Sequence, residues 1–215
     1  MDASKKWKLC CSVVLAVMAL STLAVAQDSA TADPALPANY DKDFALRYLA
    51  ETREKFLASI NGLSEAQWKF KPAPDRWSVG EVSEHVTKAE EMFQGIVHKM
   101  MASPADPAKA QEATLKEANI VKMVPDRSTK FQAPDPLKPT GRWATQAALV
   151  ADFEKMRKEN AEYLAANYDE LRQRLEAGPP GSMDGVQWMV FMAAHLKRHT
   201  AQIEEVKADP AFPKK

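Results

Sequence analysis

The sequence predicts an all-α protein, a four-helix bundle with a long crossover between its second and third helices. Three observations carry this. Four stretches repeat apolar residues at intervals of three and four, the period of a helix face. No stretch alternates as a half-buried strand would. Seven glycines stand against fourteen prolines in 215 residues, a balance that suits long helices separated by proline-punctuated loops. One domain is expected at this length.

The N-terminus reads as a targeting segment. Lys5, Lys6 and Lys8 precede an uncharged, mostly apolar run over residues 9–25, and Ala24, Val25 and Ala26 form an A-x-A cleavage site. An uncleaved anchor is the alternative, but 17 residues lie at the short edge for a membrane span. Residues 1–26 are therefore expected to be a signal peptide, with export to the periplasm or the medium and no stable membrane insertion after cleavage. Cys10 and Cys11 leave with it, so residues 27–215 contain no cysteine and carry 26 basic against 28 acidic side chains. A disulfide, a thiol nucleophile and a thiolate ligand are all excluded there. No basic tract is interleaved with aromatics, so no nucleic-acid partner is expected.

Residues 27–39 are small, polar and proline-containing, a flexible leader. The bundle follows over residues 40–207. Its first helix is predicted over residues 41–60, with Ala45, Leu49, Thr52 and Phe56 in line, and Asn61 and Gly62 end it. Residues 63–77 connect, and Trp68, Phe70 and Trp77 are expected to plug the end of the core. Ser78 and Glu81 make a capping box that opens a second helix reaching about residue 101. Its seam is Val79, Val82, Val86, Ala89, Phe93, Ile96 and Met100, with three-four spacing as in bundle packing. His85 lies beside this seam, whereas His98 falls on the solvated side.

Residues 103–141 hold six of the fourteen prolines. One short helix over residues 107–121 and loop elsewhere describe a crossover long enough to cover something. The third helix is predicted over residues 142–175, its buried line marked by Trp143, Val150, Phe153, Leu164, Tyr168 and Leu171. Arg157 and Asn160 interrupt that line. Either the arginine snorkels from an edge position or the two form a polar pocket wall. Gly178, Pro179, Pro180 and Gly181 make a turn, residues 183–207 the fourth helix, and residues 208–215 a tail.

The fourth helix carries the chemistry. Trp188, Met192, His195, His199, Gln202 and Val206 share one stripe. Two imidazoles at i and i+4, about 40° apart around the axis, can grip one metal ion. A histidine on an apolar stripe is nonetheless more often a hydrogen-bonded core residue. Leu196, Lys197 and Arg198 separate the pair, so the H-E-x-x-H general base is missing. His85 could complete a three-histidine site if the second and fourth helices pack antiparallel, because it sits about two turns from its helix start and His199 two turns from its helix end. Zinc, nickel, iron or manganese would all suit such donors. No catalytic base stands out. Glu84 points about 100° away from His85, and Gln202 reads as a polar residue at the bundle end or as a group behind a ligand.

Trp77, Ser78, Glu81 and His85, followed on the last helix by His195 and His199, resemble the paired motifs W-S-x-x-E-x-x-x-H and H-x-x-x-H of the DinB-like family. The resemblance covers residues 43–206. It implies a four-helix bundle with a divalent ion on His85, His195 and His199. Characterised members include thiol transferases using bacillithiol or mycothiol and a mycothiol-dependent maleylpyruvate isomerase, from which the signal peptide sets this chain apart. Two functions stay open: a metal-dependent hydrolase or transferase acting on a small molecule, and a non-catalytic metal- or ligand-binding bundle. An isologous homodimer through exposed helix faces is compatible with a bundle, with no apolar patch to mark it.

Overall fold

The computed structural model describes residues 39–214; the predicted signal peptide and nearly all of the predicted leader lie outside them. Four long helices make the bundle: α1 (Lys42–Ile60), α3 (Val79–Met101), α6 (Gln146–Leu171) and α7 (Gly185–Lys207). Shorter helices α2 (Glu65–Lys69), α4 (Pro107–Ala110) and α5 (Glu117–Met123), and a 3-10 turn at Asp135–Leu137, occupy the connections.

Capping residues set where the long helices begin. The Ser78 hydroxyl accepts from Glu81 N–H at 3.1 Å, and the Glu81 carboxylate accepts from Ser78 N–H at 2.8 Å. Asp184 and Gln187 make the same reciprocal pair at the start of α7. Each pair satisfies amides that a helix start leaves unpaired. Gly80, in the first turn of α3, lies under Trp68: a Cβ there would fall 2.5 Å from the indole nitrogen. Trp68, Phe70 and Trp77 pack against the apolar cluster at this end, as expected. The tail folds back too, with Phe212 edge-on to Phe70 at 5.4 Å.

Contacts at both ends of each pair give the helix directions. His85 meets His199 and Phe93 meets Trp188, so α3 and α7 are antiparallel. Gln146 bonds the Ile60 carbonyl and Lys42 the Ala165 carbonyl, so α1 and α6 are antiparallel. Glu90 meets Arg157 and His98 meets Tyr163, so α3 and α6 run the same way. Lys207 bonds the Ser59 carbonyl, while Arg172 joins Tyr40 to Asp184, so α1 and α7 also run the same way. A parallel pair cannot be joined by a tight turn. The chain leaving α3, a helix about 35 Å long, must return along the bundle before α6 can start.

Three sequence expectations are corrected. The crossover holds two short helices, not one, because Thr114 and Leu115 leave the helical path to pair with Ser182 and Gln187. The third helix is shorter than residues 142–175: Thr145 caps its start, and beyond Leu171 the chain turns into a strand. That strand, β1 (Leu175–Gly178), pairs antiparallel with β2 (Gly181–Asp184) across the predicted turn, with Leu175 opposite Asp184. Four-residue strands containing glycine carry too few alternations to register as strands in sequence.

Arg157 does not snorkel. Its side chain and that of Glu90 are each 2% exposed, and they pair at 2.7 Å. Asn160 donates to the second Glu90 oxygen at 3.0 Å, and the guanidinium also reaches Thr52 Oγ1 and the Leu49 carbonyl, both at 3.3 Å. This polar layer separates two apolar clusters. Along α1 the change of cluster falls at Thr52, between Leu49 and Phe56, and along α6 at Arg157 and Asn160, between Phe153 and Leu164. Breaking a buried pair strands one charge, so Arg157→Met should cost about 3–5 kcal/mol of unfolding free energy. Glu90→Leu added to it should recover much of that loss. Urea unfolding of both variants tests this, and a double variant weaker than the single one contradicts it.

Candidate metal centre

The antiparallel packing of α3 on α7 sets the site. His85 lies two turns into α3 and His199 two turns from the end of α7, so their levels match. His195, one turn before His199, completes the group. One ring nitrogen from each of the three lies within 4.8 Å of the others. The His195 ring centre is 5.2 Å from that of His85 and 4.5 Å from that of His199. Aromatic rings wall the group: Trp77 beside His85 at 5.0 Å, and Phe93 edge-on to His195 at 5.4 Å. His85 and His199 are buried and His195 is half-buried. His98 is exposed on the far side of α3, against Tyr163.

Hydrogen bonds choose the tautomers. His85 Nδ1 is 2.9 Å from the Leu137 carbonyl oxygen, which can only accept, so that nitrogen carries the proton. His199 Nδ1 donates in the same way to Gln202 Oε1 at 2.8 Å. Both Nε2 atoms are left with lone pairs, and they face each other at 3.2 Å. Two lone pairs held this close without a proton between them call for a cation. Two tetrahedral ligands at zinc–nitrogen distances would stand about 3.3 Å apart. The donor set therefore fits a divalent ion, and three neutral imidazoles suit a borderline metal better than magnesium or calcium.

Electrostatics keep the rings neutral. Burial, then the repulsion between two protonated rings that His85 would bring, pushes His199 down to about 3, against the opposing bond from Gln202. Burial also pushes His195 well below the ordinary histidine value, with His199 and His85 adding to the effect. For His85, burial outweighs the Leu137 bond, and Lys88 lowers it further.

The crossover crosses this end of the bundle and supplies groups that the sequence did not mark. Besides the Leu137 carbonyl, Arg127 reaches Gln202 and Glu205. Arg198, between the two α7 histidines, donates to the carbonyls of Val124, Asp126 and Thr129. Glu84 turns away from the histidines, as its wheel position requires. Its carboxylate collects the backbone N–H groups of Thr140 at 2.7 Å, Gly141 at 2.8 Å and Arg142 at 3.3 Å. Burial alone would raise its pKa, but these donors hold it below the usual value. Glu84 is thus an anchor for the crossover. Contacts spanning more than fifty residues leave no local pattern by which the sequence could have revealed them.

The family model of the DinB superfamily matches residues 48–203. The chain is 27% identical over 158 residues to the uncharacterized protein YuaE of Bacillus subtilis (strain 168), covering 73% of this chain and 93% of that one. Among solved structures it resembles YfiT from Bacillus subtilis, described as a probable metal-dependent hydrolase with an unusual four-helix bundle topology. The TM-score is 0.55 and the identity 15%, over 83% of this chain and 93% of that one.

The His199 shift has a sign that can be checked. Its folded pKa lies below the unfolded value of about 6.5, so the unfolded chain takes up more protons between about pH 6.5 and 3. Metal-free protein should lose stability on acidification through that window, with about 1.5 kcal/mol from His199 between pH 6.5 and 5. Urea midpoints at the two pH values, compared with those of His199→Leu, measure it. An equal pH slope in the two proteins contradicts it.

Proposed function

The chain belongs to the DinB superfamily, and from that premise we propose that it is an exported protein holding one divalent ion on His85, His195 and His199, and a hydrolase or transferase acting on a small molecule. The observation that carries the metal reading is the facing pair of unprotonated Nε2 atoms at 3.2 Å, inside a group of three imidazoles. The description of YfiT as a probable metal-dependent hydrolase favours the same class of chemistry. Zinc, nickel, iron and manganese all accept imidazole ligands. Export is supported by the basic start, the apolar run and the A-x-A site in residues 1–26. Among the described residues no helix is long and apolar enough to cross a membrane.

A bound ion would act as a Lewis acid, polarising a substrate oxygen or lowering the pKa of a water molecule. The protein's own contribution is placement. The Leu137 carbonyl and Gln202 orient two of the rings, and Trp77 and Phe93 pack beside the group.

A second reading, a non-catalytic bundle braced by metal, is favoured by one observation. The acid nearest the ligands in sequence, Glu84, is committed to the crossover backbone.

Protein purified without a His tag should contain about one equivalent of ion, and His199→Ala should contain far less. Loaded protein should hydrolyse or transfer at least one substrate from a panel of esters, amides and thiol adducts, and His199→Ala should not. Metal without turnover on any substrate, together with a large fall in melting temperature on chelation, moves the assignment to the structural reading. Absence of metal overturns both.

A further inference from the structure

A chain of polar groups reaches His199 from outside the bundle. Arg127, on the crossover, is clamped by Glu205: Nε donates to Oε1 at 2.6 Å and Nη2 to Oε2 at 2.7 Å. This bidentate pairing fixes the plane of the guanidinium. Its remaining edge, Nη1, faces Gln202 Oε1 at 3.4 Å. The same oxygen accepts the proton of His199 Nδ1 at 2.8 Å.

A primary amide is nearly the same shape when turned by half a revolution, but its acceptor and donor ends exchange. Turned over, Gln202 would offer N–H to His199 Nδ1. The imidazole would then keep its proton on Nε2, the atom that faces His85 Nε2 at 3.2 Å. That proton would occupy the position a metal needs. Gln202 alone does not choose between these states. Arg127 does, because a guanidinium has donors only and repels the NH2 end of the amide. At 3.4 Å the contact is weak as a hydrogen bond; its selectivity comes from the donor–donor clash in the alternative.

We infer that Arg127 is a positioning residue for the metal centre: it holds Gln202 Oε1 toward His199 and so keeps the proton on Nδ1 and Nε2 free for an ion. The inference deepens the metal reading and rests on it for its second half. Arg127 belongs to the crossover, so the readiness of a ligand on α7 depends on the crossover being seated. Arg198 seats the same stretch through the carbonyls on either side of Arg127, those of Asp126 and Thr129.

The test uses metal-free protein labelled with 15N-histidine, in which two-bond nitrogen–proton couplings report the His199 tautomer directly, and zinc affinity by chelator competition. The wild type should show the Nδ1–H form. Arg127→Ala should mix in the Nε2–H form and weaken zinc binding about tenfold. Gln202→Glu presents an oxygen whichever way it turns. In that background Arg127→Ala should leave the tautomer unchanged and zinc affinity within about twofold. An unchanged tautomer in Arg127→Ala overturns the inference even if affinity falls, since the loss would then come from a loosened crossover. Equal weakness of Arg127→Ala with and without Gln202→Glu overturns it as well. Should the wild type bind no zinc, the metal reading fails, and the tautomer measurement still decides the role of Arg127.

Discussion

Because α3 and α6 run in the same direction, the chain between them must travel the length of the bundle. It returns from the end of α3, beside His98 and Met100, to the end where α3 began. His85 lies two turns from that beginning, so the returning chain passes the histidines. The Leu137 carbonyl meets His85, Arg127 meets Gln202, and the backbone at residues 140–142 meets Glu84. A bundle with tight turns throughout would carry the same three histidines without these partners. The His85 tautomer would then be left to water, and Arg127 would not hold the Gln202 amide that meets His199.

Among the buried polar residues described, the Glu90–Arg157 layer and the histidine triad differ in their chemistry. Glu90 and Arg157 compensate each other's charge, with Asn160 donating to Glu90 and Thr52 accepting from Arg157. The three histidines avoid charge, since burial keeps them neutral and, for His195 and His199, the neighbouring rings add to it. Neutral rings leave the charge of a bound ion to be balanced from outside the triad. The buried pair supplies none of that balance, because each of its charges is already spent on the other. Glu90 lies five residues beyond His85 on α3, and its carboxylate goes to Arg157 and Asn160 on α6.

The helices were legible because their signals are local. The capping box at Ser78 and Glu81 and the three-four seam that follows it each lie within a few turns. The histidine set was legible for the same reason, once the antiparallel levels of two helices were assumed. The β-hairpin was not, because four residues do not establish a period. The sequence offered Arg157 either an edge position or a pocket wall, and did not reveal the buried pair, because its partner, Glu90, lies 67 residues away. Gln202 was read correctly as a polar residue on the histidine stripe, but its task depends on Arg127, 75 residues distant.

Helix geometry explains why the clustered histidines and the crossover anchors are sequence neighbours. Adjacent residues point about 100° apart. A histidine aimed at the bundle interior therefore leaves its neighbour aimed toward whatever covers that helix from outside. Glu84 precedes His85 and holds residues 140–142; Arg198 precedes His199 and holds the carbonyls of Val124, Asp126 and Thr129. The same one-residue step occurs on both helices, so the crossover is registered to α3 and α7 at the level of the histidines themselves. Displacing it would disturb the partners of His85 and His199 together. Ring orientation and crossover seating are one structural state, held from both sides by residues whose neighbours are the proposed ligands.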